Sequence, residues 1–288
     1  MSGIALGTRD VVSVAGADAA SFLQGQVSAD VSALQPGSST WALLLQPTGK
    51  LGYWVRLTSR TDEFLIDVDA GLGHDVVRRL QRFLLRVDAT VTLRSEWASW
   101  TCVGDVADLL PEATRDPALV VARRVRPGVD GVVATDVLGP ADVLPEPPPV
   151  DGDLAAALVA AGWPSAAELR AESIPAELGT WVIHESVSFT KGCYTGQELV
   201  ARVDSRGAET PHHLRLLVGA ATQRLAVGDT VTVDGADRGQ VTSVAVVDDV
   251  PIALASVHRS VAAGSSAQAG SIDVLVTDAP YTGPSAAP

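Results

Sequence analysis

At 288 residues, 47% hydrophobic and 19% charged, the chain is long enough to bury a large core and to divide into two or three units, and a disordered protein is excluded. A formal charge of −13 argues against broad attachment to nucleic acid or to an anionic membrane, since both require a basic face. No apolar run approaches a bilayer span, and the opening MSGIALGTRD lacks a basic leader followed by an apolar stretch, so the expected location is the cytoplasm.

Taken in order, Val11 to Val14 reads as a short strand, and Asp18 as the cap of a helix through Ala19, Phe22, Leu23 and Gln24. Trp41 to Leu45 and Tyr53 to Leu57 form a predicted hairpin around the turn Gln46-Pro47-Thr48-Gly49-Lys50. Phe64 to Val68 is a further strand. From Leu72 through Arg86, the spacing of Val76, Val77, Leu80, Phe83 and Leu84 predicts a helix, followed by a strand from Val87 to Leu93. Arg78, Arg79, Arg82 and Arg86 share the other face of that helix, which reads as solvated, with an acidic partner as the alternative. Cys102, inside the strand-like run Trp97 to Val103, reads as core. Arg123, Arg124 and Arg126 make a local basic cluster.

Residues 139–153 hold Pro140, Pro145 and Pro147-Pro148-Pro149, a stiff exposed connection. Leu154 to Ala161 is an alanine-rich helix stopped by Gly162 and Pro164. Beyond residue 211 the pattern becomes short strands: 214–218, 230–233, 240–247, 251–257 and 272–277. Their even spacing predicts a small antiparallel barrel. His212 and His213 at its entrance read as surface polar residues. Three regions are therefore expected: 1–210, 211–278 as the barrel, and a disordered tail over 279–288, with a turn between domains at Gly207 to Pro211. Strands and helices mix without regular parallel crossovers, which makes the class α+β, and no GxGxxG or phosphate-loop string is present.

One stretch concentrates chemistry. Phe189-Thr190-Lys191-Gly192-Cys193-Tyr194-Thr195-Gly196-Gln197-Glu198, running on to Arg202, packs a thiol, an ammonium, a phenol, an amide, a carboxylate and a guanidinium into a run punctuated by two glycines. Glycine permits turns and close approach of the backbone to a ligand, and a cysteine near cations is suited to thiolate chemistry. Only two lysines occur, Lys50 and Lys191, and both adjoin glycines in polar turns. Two cysteines make neither a disulfide scaffold nor a metal cage, so no metal site is expected.

The segment FTKGCYTGQELVAR resembles the signature of the YgfZ family, folate-binding proteins akin to the glycine-cleavage T-protein and implicated in iron–sulfur cluster assembly and repair. Weaker likeness extends over most of the chain, including GADAASFLQGQVSADV and LLLQPTGK. The resemblance implies two ferredoxin-like subdomains and the barrel arranged as a ring, with tetrahydrofolate or another reduced folate in the central opening. It implies a role in supporting iron–sulfur client proteins, tRNA-modifying enzymes among them, without direct contact to nucleic acid or membrane. It makes Cys193 the reactive residue. Lys191, Gly192, Tyr194, Gly196, Gln197, Glu198, Arg202 and, further off, Glu177 become the folate-binding set; on the arginine face at 78–86, a folate's glutamate tail joins the acidic partner as an alternative to the solvated reading.

Two alternatives stand beside it: an aminomethyl transferase and a non-catalytic folate scaffold. Relatives of the T-protein type carry acidic residues where this hairpin has Gly52 and Tyr53, which speaks against aminomethyl transfer. Separately, Leu158 and Ala160 stand where relatives carry an arginine and often a glutamate, a departure that bears on folate affinity and pose.

Overall fold

The computed structural model describes residues 3–169, 173–205 and 210–283. The N-terminal part runs β1 (Ile4–Leu6), β2 (Arg9–Ala15), α1 (Ala19–Gln26), β3 (Ser39–Leu45), β4 (Leu51–Ser59), β5 (Glu63–Asp69), α2 (Gly73–Gln81) and β6 (Thr90–Leu93). Next come β7 (Trp97–Val103), β8 (Val120–Arg124), β9 (Ala134–Pro140), α3 (Leu154–Ala161), α4 (Thr180–Ser186) and α5 (Gln197–Ser205). The last part holds β10 (His212–Gly219), β11 (Thr230–Val233), β12 (Ala236–Val247), β13 (Val250–His258), β14 (Ser266–Ala269) and β15 (Ile272–Thr277). The class is α+β with a C-terminal antiparallel barrel.

Three assemblies result: a sheet ordered β3-β4-β5-β2-β6, a sheet ordered β1-β7-β9-β8, and a closed barrel β10-β13-β12-β11-β14-β15. One face of the five-stranded sheet is covered by α1 and α2 through Val12, Phe22, Leu23, Val55, Val76 and Leu80. The opposite face meets the four-stranded sheet through Val11, Leu65, Val120, Ala122 and Leu138. Elsewhere that face carries Leu43, Leu45 and Trp54 against Trp163, Val182, Ile183 and Val200. Helix α3 lies between strands β7 and β9 and the barrel strands β12 and β13, and the turn Pro175–Leu178 joins β10 to α4 and α5. The contacts thus run in a closed circuit through all three assemblies.

Helix α3 ends at Gly162 as its sequence predicts, and its start is capped by a residue that the sequence pattern assigns to the preceding connection. Asp153 accepts the amides of Ala155 and Ala156, and Gly162 takes the left-handed conformation at the C-terminus. Asp18 behaves differently from its predicted role. It makes no side-chain cap on α1; instead its carboxylate accepts the Asp88 amide and ties the helix start to the strand that follows α2. The predicted helix 72–86 ends at Gln81, after which Phe83 and Leu84 sit in tight turns and Arg86 turns left-handed. Like charges four apart, Arg78 with Arg82 and Arg82 with Arg86, oppose further helix.

The barrel contains one strand unforeseen from its pattern, β14, whose Ser-Ala-Gln-Ala sequence lacks β-branched residues. Residues 279–283, expected in a tail, are packed: Tyr281 donates its amide to Ala160 at 2.7 Å, and Arg126 donates to the Ala279 carbonyl at 2.8 Å. Residues 207–209 of the expected interdomain turn and 284–288 of the tail lie outside the described residues.

Candidate functional site

The loop from Val187 to Gly196 is held by hydrogen bonds to the end of α1 and the residues after it. Ser188 donates its amide to Ser28, and Thr195 donates its amide to Gly25, each at 3.0 Å. The Lys191 ammonium donates to the carbonyls of Val27 at 2.8 Å and Ala29 at 2.7 Å, and lies 5.3 Å from the centre of the Tyr194 ring. Beneath the loop, Ser28 Oγ donates to the Ser186 carbonyl while Trp54 Nε1 donates to Ser186 Oγ. Gln197 accepts the Tyr194 amide with Oε1 and closes the turn into α5. The loop is therefore a tethered platform, and Cys193 stands exposed on it as a free thiol.

The hairpin turn at Gln46–Lys50 meets the same loop. A side chain at Gly196, where φ is +81°, would stand 2.5 Å from the Gln46 carbonyl oxygen and 2.8 Å from Leu45 Cβ. One at Gly49 would stand 2.3 Å from Leu199 Cβ. Two glycines thus let the hairpin and the thiol loop interlock. Gly196→Ala is expected to destabilise the fold by about 2–4 kcal/mol, because strained backbone and overpacking add. A chemical-denaturation midpoint equal to wild type would contradict this close packing.

Burial pushes the Lys191 ammonium down to about 8, against a smaller opposing effect of Asp30. The folded value lies below the free value of 10.5, so the unfolded chain holds this proton more tightly. The residue's contribution to stability is lowest below about pH 8 and rises from there to about 10.5. Urea denaturation of wild type against Lys191→Met should show the difference rising across that window; a flat difference would contradict it. Burial also pushes the Tyr194 phenol up to about 12, so it stays neutral as a hydrogen-bonding group.

Of the predicted site residues, the structure brings Tyr194, Gly196, Gln197, Glu198 and Arg202 around one cavity of about 360 Å³, lined also by Pro47 and Thr48 of the hairpin turn. Lys191, Gly192 and Cys193 belong to the loop that borders it. Glu177 is elsewhere. It faces a cavity of about 700 Å³ between the hairpin and the barrel, with Lys50, Ser173, His212 and Gln240. Burial raises its carboxyl, with His212 acting against that rise; His212 Nδ1 lies 3.9 Å away. Glycines beside Lys50 signalled a special turn, but nothing in the sequence linked that lysine or His212 to Glu177. At the end of α1, Gln24 and Gln26 serve the fold: Gln24 binds Asp30 and the Val31 amide, and Gln26 accepts from Arg79.

Behind the site lies a layer that sequence reading missed. Arg9 and Arg56 reach Asp67, while Arg56 and Arg124 reach Asp136, all buried between the two open sheets. Thr101 donates to Asp136 at 2.6 Å. Burial alone would raise the Asp136 carboxyl; Arg124 and Arg56 outweigh it and hold it far below the usual carboxylate range. Trp41, Trp54, Trp163 and Trp181 cluster above this layer with ring centres 4.4–5.8 Å apart. Two members of the predicted arginine cluster are explained here, Arg124 by Asp136 and Arg126 by its place 5.4 Å from the Trp181 ring. Among the described residues, no group of three or more His, Cys, Asp or Glu is placed to hold a metal ion, and no helix is long and apolar enough to cross a membrane.

This architecture matches the crystal structure of glycine cleavage system aminomethyltransferase T from Bartonella henselae with a TM-score of 0.77 at 16% identity, over 98% of this chain and 87% of that one. At that identity the match speaks for the fold alone. No family model matches the chain. By sequence, it is 28% identical over 219 residues to an iron–sulfur cluster assembly factor IBA57 homologue, mitochondrial, of Pyricularia oryzae, covering 70% of this chain and 54% of that protein. It is 25% identical over 238 residues to the tRNA-modifying protein YgfZ of Escherichia coli O157:H7, covering 76% of this chain and 72% of that one. The chain is a homologue of the YgfZ and IBA57 proteins. It spans about half the length of the IBA57 protein it matches. In this YgfZ homologue, the three stretches that carry the sequence likeness are the ones that meet in space: the end of α1, the hairpin turn and the thiol loop.

Proposed function

We propose that this chain binds a reduced folate and supports the assembly or repair of iron–sulfur clusters in client enzymes, with Cys193 as its working group. The observation that carries the reading is the convergence of three separate chain segments on one loop whose outcome is an exposed, firmly held thiol. A structural cysteine needs no such scaffold, as Cys102 shows by its burial between strands with its thiol pushed up to about 11. The names of the YgfZ and IBA57 relatives supply the client class.

A folate fits the residues present at one of two carboxylates. Glu177 is half-buried at a cavity whose size is within the range of about 300–1,000 Å³ usual for small-molecule sites, and its carboxylate suits the donor edge of a pterin. Glu198 offers the same group from an exposed position beside Tyr194 and Gln197. The tryptophan cluster does not fit, because its rings already stack on one another. When bound, a reduced folate supplies one-carbon chemistry; the chain's own part is to orient it and to present Cys193 nearby.

Calorimetry with tetrahydrofolate tests the folate half. Binding is expected, weakened about 10- to 100-fold by Glu177→Gln or Glu198→Ala, since a charged hydrogen bond is lost. No heat of binding to the intact protein would remove folate from the function. Aminomethyl transfer is disfavoured by the hairpin itself. Residues 46–53 include no acidic side chain, and a side chain at Gly52 would stand 2.4 Å from the Leu44 carbonyl oxygen.

A further inference from the structure

We infer that the end of α2 is a docking surface for an acidic, partly apolar segment of a partner protein. Arg78, Arg79, Arg82 and Arg86 concentrate positive charge on a chain whose formal charge is −13. Arg78 is paired with Asp75 within the helix, whereas Arg82 and Arg86 are exposed with no acidic partner among the described residues. Arg79 donates to Gln26 and to the Leu45 carbonyl and lies 4.3 Å from the centre of the Phe83 ring. This fixes the platform before any partner arrives and lowers the entropy cost of binding. Phe83 is 38% exposed and Leu85 is 85% exposed. The left-handed turn at Arg86 follows directly after Leu85. Arginine and aromatic residues interleaved with an exposed aliphatic are the composition of protein interfaces.

The surface shares its support with the thiol loop. Arg79 grips Gln26, and the neighbouring Gly25 carbonyl accepts the Thr195 amide. A segment docked on the arginines therefore binds against the same helix end that anchors the thiol loop. Protein is favoured over RNA, because the overall charge repels a long polyanion and Leu85 offers nothing to a phosphate. Only the partner's purpose rests on the function proposed above; docking itself is measured without it.

The test is fluorescence anisotropy with a synthetic peptide alternating Glu and Leu, against its Gln-for-Glu counterpart and a single-stranded RNA oligonucleotide. The acidic peptide should bind the intact protein. It should bind about tenfold more weakly to Arg82→Gln/Arg86→Gln and more weakly to Leu85→Ser, and weaken with added salt. The Gln peptide should not bind, and Cys193→Ala should bind as wild type. Acidic-peptide affinity indifferent to the arginine substitutions would overturn the inference, as would RNA binding more tightly through the same arginines. Cys193→Ala docking normally while failing to support iron–sulfur enzymes separates this surface from the thiol's function.

Discussion

Cys193→Ala is expected to reduce recovery of iron–sulfur enzyme activity to the level of cells lacking the protein, while thermal stability stays at the wild-type value. The second half follows from position. The side chain is exposed on a loop whose anchors are Ser188, Lys191 and Thr195, and none of them depends on the sulfur. The first half follows if the sulfur does the work. Cys193→Ser, which keeps size and polarity but supplies a poor soft-metal ligand and nucleophile, should fail as fully as alanine. Full activity in the alanine variant would sink the thiol role and leave the scaffold reading in its place. Intermediate activity in the serine variant alone would point to a hydrogen bond in place of sulfur chemistry.

The largest stability effect belongs to Asp136. It accepts from Arg56, Arg124 and Thr101 and is fully buried. Asp136→Ala leaves the buried Arg124 guanidinium without its carboxylate and Arg56 with Asp67 alone, a loss of about 3–5 kcal/mol. For a chain of this size that lowers the thermal midpoint by roughly 10 °C. Removing one partner differs from replacing the set. Adding Arg124→Met to Asp136→Leu should recover part of the loss, since an apolar pair of similar volume avoids the unpaired charge. A midpoint unchanged in Asp136→Ala would mean that the arginines reach water or other acceptors once the carboxylate is gone. The network also has an acid side: stability held by Asp136 is present at neutral pH and is lost as pH falls toward its lowered folded value.

What could be read from the chain were features with local grammar. Helix α3 announced its C-terminal end through Gly162 and Pro164, while its Asp153 cap went unread. The barrel strands announced themselves by alternating apolar residues between turn residues. The thiol loop stood out because its residue types are costly to place together without purpose. Features made by pairing at long range left no such trace. Arg9, Arg56, Asp67, Arg124 and Asp136 come from five strands in two sheets, and each alone looks like a surface charge on an alternating strand. Glu177 and His212 are 35 positions apart and meet only because the barrel folds back on the turn before α4. Asp18 shows the limit of even a local rule: its side chain had a more distant amide to bind, and the tertiary contact won over the cap. The end of α2 shows the same limit for periodicity, since the apolar spacing continued past Gln81 while the backbone did not.

The tryptophan cluster gives the protein a built-in optical reporter. Four of its six tryptophans sit within stacking range of one another, and they are drawn from β3, β4, the residue after α3's glycine stop, and α4. Indole rings this close exchange excitation, so emission and near-ultraviolet dichroism register their mutual geometry as a single coupled signal. Any event that pries α4 away from the hairpin, whether ligand entry or partner docking, becomes visible without a label.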